Sequence, residues 1–520
     1  MRQIQLRLRG RWAARGVTAL VVAAAGGFAA APGASAATGY AIGTPVCHPT
    51  GAKPSFCLAV KRTVVSSSTP GARPYALAPA AGTHGPAGGY TPQDLATAYG
   101  FSPTAPTKRT IGIVAAFNDP TINNDLQVFD QQYGLSACSE GNGCLKVVGQ
   151  TGTSTLPADA TNGWPTEVSL DVEVVHSVCE HCKILLVEAT TDEFSRADVP
   201  RDMAIAEDTA VRLGATLITN SFAYYESQFT KADDAAFDHP GIVIDAGLGD
   251  DGWRNYDLLG VDGPTANVAM APAVLPTVTA VGGTSLYLTQ NGKRQSETVW
   301  NDNGVNDVYQ QALGGPVGAA GGGCSDIFTA QPWQTSVPGW AQTGCGTHRL
   351  SVDVSADADF LTGFDTYNSN PCDGACSTGW GTVGGTSMAS PLITGMWALA
   401  GGSGGTAYPA ANLYRHLGRA SLYDVTTGGN GYCDGNGAAG CPDPNLLGYG
   451  YVDCAYTPTG QISVGDRSCD ALKGYDGPSG VGAPNGLRAF RPTKGTAARA
   501  TRAARRVSTN VRRAAPARRS

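Results

Sequence analysis

A glutamate and an aspartate four residues apart, Glu167 and Asp171, stand in the run Trp164-Pro-Thr-Glu-Val-Ser-Leu-Asp-Val-Glu-Val-Val-His176. The proline near its start and the pattern that follows predict a helix. Spacing of four then places both carboxyls on one face, among Val168, Leu170, Val172, Val174 and Val175. Two like charges on a mostly apolar helix repel and resist desolvation, so the pair should hold a proton to higher pH than an isolated acid. That suits a coupled acid/base pair. Two acids that simply face water would read the same.

Ser387 lies in Val383-Gly-Gly-Thr-Ser-Met-Ala-Ser-Pro-Leu-Ile-Thr-Gly-Met-Trp397, where the glycines leave room for a substrate backbone and a helix follows. A serine at a helix N-terminus can attack a carbonyl through its hydroxyl and hold a developing oxyanion through its N–H. A bare Gly-Thr-Ser turn is often only a cap; the longer Gly-Thr-Ser-Met-Ala-Ser-Pro string is more specific. A third element, Asp245-Ala-Gly-Leu-Gly-Asp-Asp-Gly252, directly follows an apolar run. Carboxyl ends of parallel strands are where such sheets build sites, and an acid there donates to an oxyanion only while protonated. A Gly/Asp turn or a cation loop is the plain alternative. The seven histidines, at 48, 84, 176, 181, 239, 348 and 416, include none in a His-Gly-Thr setting. His176 sits nine residues beyond Glu167 and reads as a satisfied structural histidine. The carboxylate pair is therefore the better base for Ser387.

These residues need a rigid frame. Thr110-Ile-Gly-Ile-Val-Ala-Ala-Phe, Lys183-Ile-Leu-Leu-Val-Glu-Ala, Ala215-Thr-Leu-Ile-Thr-Asn and Gly241-Ile-Val-Ile-Asp-Ala-Gly are apolar runs of strand length. Helices are expected from Pro92 (capped by Thr91), over Asp125–Tyr133, over Ala204–Leu213 and from Ala235 onward. Continuous apolar strands alternating with helices predict an α/β fold, with a mainly parallel sheet covered on both faces. No internal repeat is evident. Residues 362–486, rich in Gly, Asn, Asp and Cys, read as long loops held by disulfides.

The chain has 520 residues and a formal charge of −6. That balance hides two basic ends: residues 1–36 carry five Arg, and 488–520 carry ten Arg and one Lys, with no acid in either. The middle is strongly acidic, which argues against nucleic-acid binding. The first 36 residues read as a secretory signal peptide: a basic start, a short apolar run from Val17 to Ala31, and Ala34-Ser35-Ala36. No other segment approaches spanning length, so a secreted, extracellular protein without a membrane span is expected. Residues 37–88 read as a short pro-segment or loose N-terminal extension. The last 33 residues, 488–520, read as a disordered basic tail, with an electrostatic tether to an anionic cell surface as the sharper alternative. All 14 cysteines follow the signal, as in a disulfide framework. Spacing suggests chain-order pairs: 47–57, 138–144, 179–182, 324–345, 372–376, 433–441 and 454–469. Cys179-Glu-His-Cys182, with His176 and His181 near, also has a zinc or redox reading; a local disulfide is favoured.

Over roughly residues 89–487 the sequence resembles the sedolisins, serine-carboxyl peptidases with a subtilisin-like three-layer fold. The resemblance rests on Glu167-x-x-Leu170-Asp171-Val-Glu, the Gly249-Asp250 turn, Pro276-Thr-Val-Thr-Ala-Val-Gly-Gly-Thr-Ser285, Gly321-Gly-Gly-Cys-Ser325 before Pro332-Trp-Gln, Asp353-Val-Ser-Ala-Asp-Ala-Asp359 and Gly385-Thr-Ser-Met-Ala-Ser-Pro391. It implies Ser387 as nucleophile, Glu167 as general base, Asp171 as the group orienting Glu167, and Asp250 as a neutral acid lining the oxyanion hole. Activity on protein or peptide substrates would then be confined to acid. The family's single calcium ion would fall at Asp424, Val425, Gly474 and Asp476, where carboxylates and carbonyls supply hard oxygen ligands. Three departures stand out: relatives carry a much larger pro-domain, the cysteines here are more numerous, and Asp251 follows Asp250. An endopeptidase is the leading expectation. A tripeptidyl exopeptidase and a silent secreted binding protein are the alternatives, and a monomer is the default.

Overall fold

Thr110–Ala116, an apolar run with only Thr110 at its margin less than fully buried, forms the strand about which the main sheet is organised. The computed structural model describes residues 38–47, 56–69, 73–76, 84–192, 201–254, 269–302, 318–372, 376, 378–431 and 467–492. Within them an eight-stranded sheet runs in the order Arg294–Val299, Thr279–Leu288, Val243–Gly247, Leu217–Asn220, Thr110–Ala116, Lys183–Ala189, Leu145–Gly149, and Val354–Asp357 also pairs with Thr279–Leu288. All pairings are parallel except that of Arg294–Val299 with its neighbour. Strands buried on both faces explain the unbroken apolar runs. The chain order reverses on either side of Thr110–Ala116, so a cleft opens at the carboxyl ends of the strands nearby.

Local signals account for the helices. Thr91 caps Pro92–Tyr99 reciprocally with Asp94: Thr91 N–H donates to the Asp94 carboxylate at 2.9 Å, and Asp94 N–H donates to Thr91 Oγ1 at 3.2 Å. The helix expected over 125–133 starts earlier, at Ile122. The one expected from Ala235 onward instead spans Lys231–Ala236, because Thr230 and Asp233 form the same reciprocal cap upstream. The helices Trp164–Val178 and Thr386–Ala400 pack on each other in the core. A Cβ on Gly395 would lie 2.6 Å from a Val178 methyl, so glycine sets how closely they cross. No helix among the described residues is long and apolar enough to cross a membrane.

A second sheet of five strands joins the N-terminal segment to the body: Phe364–Asn368, Gly379–Gly384, Val60–Val65, Thr38–Pro45, Arg73–Ala76. Part of the 37–88 segment is thus paired to the strand that leads into Gly385-Thr386-Ser387. At the other end the packed body runs past 487. Ala489 and Phe490 are buried, and the Phe490 ring meets Trp397 edge-on at 4.9 Å. Residues 1–36 and the tail beyond Pro492 lie outside the described residues.

Disulfides join Cys47–Cys57, Cys138–Cys144, Cys179–Cys182, Cys324–Cys345 and Cys372–Cys376. The expected pairs 433–441 and 454–469 fall at least partly outside the described residues. Cys179 and Cys182 form the local disulfide expected of them, so bonded sulfurs replace the thiolates that zinc would need. His176 is buried, with Nε2 2.8 Å from the Ser136 carbonyl and 3.2 Å from Asp130 Oδ1, as a structural histidine.

The core also holds acids that burial keeps protonated. Glu188 and Asp245 are both pushed up to about 8, and Asp119 to about 6, chiefly by desolvation. Their folded values exceed the unfolded ones near 4, so the stability they contribute is complete below about pH 4 and is lost as pH rises through the folded values. Each such group costs about 1.4 kcal/mol per pH unit while it binds a proton only in the folded state. The apparent Tm at fixed scan rate is therefore expected to fall by several degrees from pH 5 to pH 8. A Tm that rises over that range contradicts this account.

Candidate active site

Glu167 and Asp171 occupy successive turns of Trp164–Val178, every residue of which is buried. Trp164 anchors the start by donating its indole N–H to Asp192 at 3.0 Å. Both carboxyls are fully shielded from solvent. Burial raises the proton affinity of Glu167 well above the ordinary range, and the neighbouring Asp171 charge raises it further; the Ser387 hydroxyl and the Leu58 backbone partly offset this. Asp171 is raised by burial and partly relieved by Ser221, whose hydroxyl donates to Asp171 Oδ1 at 2.6 Å.

Ser387 sits in the first turn of Thr386–Ala400, with its side chain buried. Gly385 precedes it at φ 93°, a left-handed conformation that favours glycine. A Cβ there would stand 1.9 Å from the Leu58 carbonyl oxygen and 2.8 Å from Asp250 Oδ2. Glu167 approaches Ser387, yet neither its oxygens nor Ser387 Oγ completes a well-aligned hydrogen bond.

Asp250 follows the strand Val243–Gly247, in the loop predicted from Asp245 to Gly252. Its Oδ1 accepts from Thr386 N–H at 2.8 Å and from Thr386 Oγ1 at 2.9 Å, while Gly249 N–H donates to Thr386 Oγ1 at 3.1 Å. The side chain is thus fixed beside the serine turn. Burial first, then the charge of Asp251, pushes its proton affinity well up, against the pull of the Thr386 donors. Asp251 starts a short strand, Asp251–Trp253, paired with Ala319–Gly322.

The structure therefore gathers Glu167, Asp171, Asp250 and Ser387 at one place, with a hydroxyl between carboxyls of raised proton affinity. Such a set can take a proton from the hydroxyl, and can offer one to an oxygen that gains charge. Two participants lie outside the sequence reading. Thr386 was visible only as part of its motif. Ser221 directly follows the strand Leu217–Asn220, and its place at a strand's carboxyl end is the signal that could have found it.

Asp424, Val425, Gly474 and Asp476 form a separate group. Gly474 N–H donates to both Asp424 oxygens at 3.1 Å. Asp476 is buried and accepts from Leu472 N–H at 2.8 Å and from Ser479 N–H and Oγ at 3.0 and 2.7 Å. Burial first, and last the nearby Asp424 charge, raise the proton affinity of Asp476, so the two acids are close enough to interact. Two acids so placed, one of them out of solvent, suit a hard divalent cation.

No protein-family model matches the chain. It is similar to sedolisin from Pseudomonas sp. (strain 101), 29% identical over 400 residues that cover 74% of this chain and 63% of that protein. It is also similar to xanthomonalisin from Xanthomonas sp. (strain T-22), 28% identical over 395 residues, 70% of this chain and 45% of that protein. Kumamolisin from Bacillus sp. (strain MN-32) is 28% identical over 358 residues, 66% of this chain and 57% of that protein. The chain thus spans less than two thirds of the length of each of these relatives. Among solved structures, Pseudomonas sedolisin, a serine-carboxyl proteinase complexed with two molecules of pseudo-iodotyrostatin, matches with a TM-score of 0.57 at 26% identity, covering 78% of this chain and 96% of that one. Likeness in sequence over most of the chain and likeness in fold over nearly all of that structure agree, and both are to members of the sedolisin family.

Proposed function

We propose that the protein is a secreted serine-carboxyl peptidase that hydrolyses peptide bonds in acid. The observation that carries this reading is the convergence of Glu167, Asp171 and Asp250 on Ser387. In this reading Glu167 takes the Ser387 proton as the hydroxyl attacks the substrate carbonyl, and Asp171 orients Glu167. The oxyanion is held by Ser387 N–H and by protonated Asp250. Glu167 returns the proton to the leaving amine, and water resolves the acyl-enzyme by the same steps in reverse. Acidity is required because Asp250 donates only while neutral.

The test is digestion of a mixed peptide pool from pH 3 to pH 8, read by mass spectrometry, with Ser387→Ala as control. Acid-limited cleavage that vanishes in the variant is expected, with internal cuts for an endopeptidase and tripeptide products for the exopeptidase alternative. Folded protein that cuts nothing at any pH returns the reading to a silent binding protein.

Calcium belongs to the same proposal. Asp424 and Asp476 would supply carboxylates, and Val425 and Gly474 backbone carbonyls. The bound ion would offset the repulsion between the two acids and tie residues 424–425 to 474–476. A chelator is expected to lower the Tm by several degrees, with restoration by calcium, and Asp476→Asn is expected to abolish the response. A chelator-insensitive Tm sinks it.

A further inference from the structure

The N-terminal segment reaches the candidate active site and lies in it as a peptide would. Phe56–Cys57 adds as an antiparallel strand to Phe222–Tyr225, with Phe56 opposite Ala223 and Cys57 opposite Phe222. Strand addition of this kind is a standard way to bind an extended peptide. Leu58 N–H donates to the Ser221 carbonyl at 3.2 Å, and the Leu58 carbonyl accepts from Ser387 N–H at 3.2 Å. The same carbonyl oxygen crowds the open face of Gly385 together with Asp250 Oδ2. The Leu58 backbone also acts on the Glu167 carboxyl. The carbonyl of the Leu58–Ala59 bond is therefore held by the donor that would hold an oxyanion, beside both the acid and the base.

The side chain is held as well. Leu58 is 2% exposed and packs in a small apolar cluster with Ala223, Tyr225 and Met270. Downstream, Val60 and Lys61 pair with Gly384 and Val383. Upstream, Cys47–Cys57 fastens the segment, and Val46 N–H donates to the Ala59 carbonyl at 2.9 Å.

We propose that the Leu58–Ala59 peptide bond is the chain's own cleavage site, presented to Ser387 by a pocket of Ala223, Tyr225 and Met270 that selects a leucine-sized aliphatic residue on the acyl side of the bond. This rests on the peptidase reading above. Ser387 Oγ bonds to the Leu58 carbonyl carbon and its proton passes to Glu167. The Leu58–Ala59 C–N bond breaks and the Ala59 nitrogen takes that proton. One water then hydrolyses the acyl-enzyme, leaving a Leu58 carboxyl and a free Ala59 amine. Both cysteines of the 47–57 bridge lie before the cut. The strand Thr38–Pro45 stays paired with Val60–Val65, so the new Leu58 terminus remains in the cleft and blocks it until the N-terminal fragment leaves.

The test uses the full chain. Purified protein is shifted into the acid range and followed by denaturing non-reducing electrophoresis, intact mass and N-terminal sequencing. In parallel, synthetic peptides differing only at the acyl-side residue (Leu, Met, Lys, Gly) are digested. A new terminus at Ala59 is expected, formed at a rate independent of protein concentration, absent in Ser387→Ala and retained in Leu58→Met. It should form at least tenfold more slowly in Leu58→Lys. Leucine and methionine peptides should be cut at least tenfold faster than lysine or glycine peptides. Peptides cut without any Ala59 terminus overturn this inference and leave the peptidase reading standing. An Ala59 terminus that also forms in Ser387→Ala, or peptides cut without preference for leucine, overturn it too. Failure to cut either the peptides or the chain overturns both.

Discussion

Replacing Glu167 by glutamine is expected to lower kcat by about a factor of 10³, near the middle of the range for losing a general base. Glutamine matches glutamate in size and stays neutral, so it fits a site with no solvent contact. Burial and the Asp171 charge both disfavour a charge on Glu167, so the neutral amide suits the site and should not unfold the helix. What it cannot do is accept the serine proton. Ser387→Ala should cost at least as much, and the double variant should be no worse than the worse single one, because groups that act as one unit are not additive. Steady-state kinetics at the wild-type optimum, with circular dichroism to verify folding, checks this. A Glu167→Gln enzyme within tenfold of wild type places the base elsewhere.

Asp250 offers a second large effect, in the pH profile. Its Oδ1 is occupied by two Thr386 donors, which leaves Oδ2 to carry a proton toward the substrate oxygen. Above its raised pKa that proton is gone and a negative charge faces the developing oxyanion, so activity should fall on the alkaline side. In Asp250→Asn the amide oxygen can keep both Thr386 bonds, while the amide nitrogen donates at every pH. The alkaline limb of kcat is expected to move up by at least one pH unit, with residual activity retained at the optimum. Asp250→Ala removes the donor outright, and a loss of about 10²–10³ in kcat is expected. An unshifted limb in the asparagine variant assigns it to another group.

Much of the fold was legible because its signals are local. The apolar strands, the Thr91 cap and the four-residue spacing of Glu167 and Asp171 are each set within a few residues of sequence. Ser387 was legible because a helix start and its glycines are contiguous. The helix at Lys231 was misplaced because its reciprocal cap lies upstream of the alanines that suggested it. Leu58 was not legible at all. Its neighbours Ser221, Ala223, Met270 and Ser387 come from distant parts of the chain, and antiparallel strand addition places little demand on side-chain identity. Residues 37–88 looked loose because Gly, Ala and Pro dilute any periodicity, whereas backbone pairing to Gly379–Gly384 needs none.

The five disulfides among the described residues share a property that bears on how the chain is made. Each joins a cysteine to the next one along the sequence, across separations of 3 to 21 residues. A thiol oxidant that acts on cysteines in the order in which they emerge from a ribosome or translocation channel would therefore form these pairs correctly the first time. No long-range partner has to be awaited and no wrong pair exchanged. Formation of these five pairs should depend on oxidising power and little on disulfide isomerisation, so a host that supplies the first without the second should suffice for them.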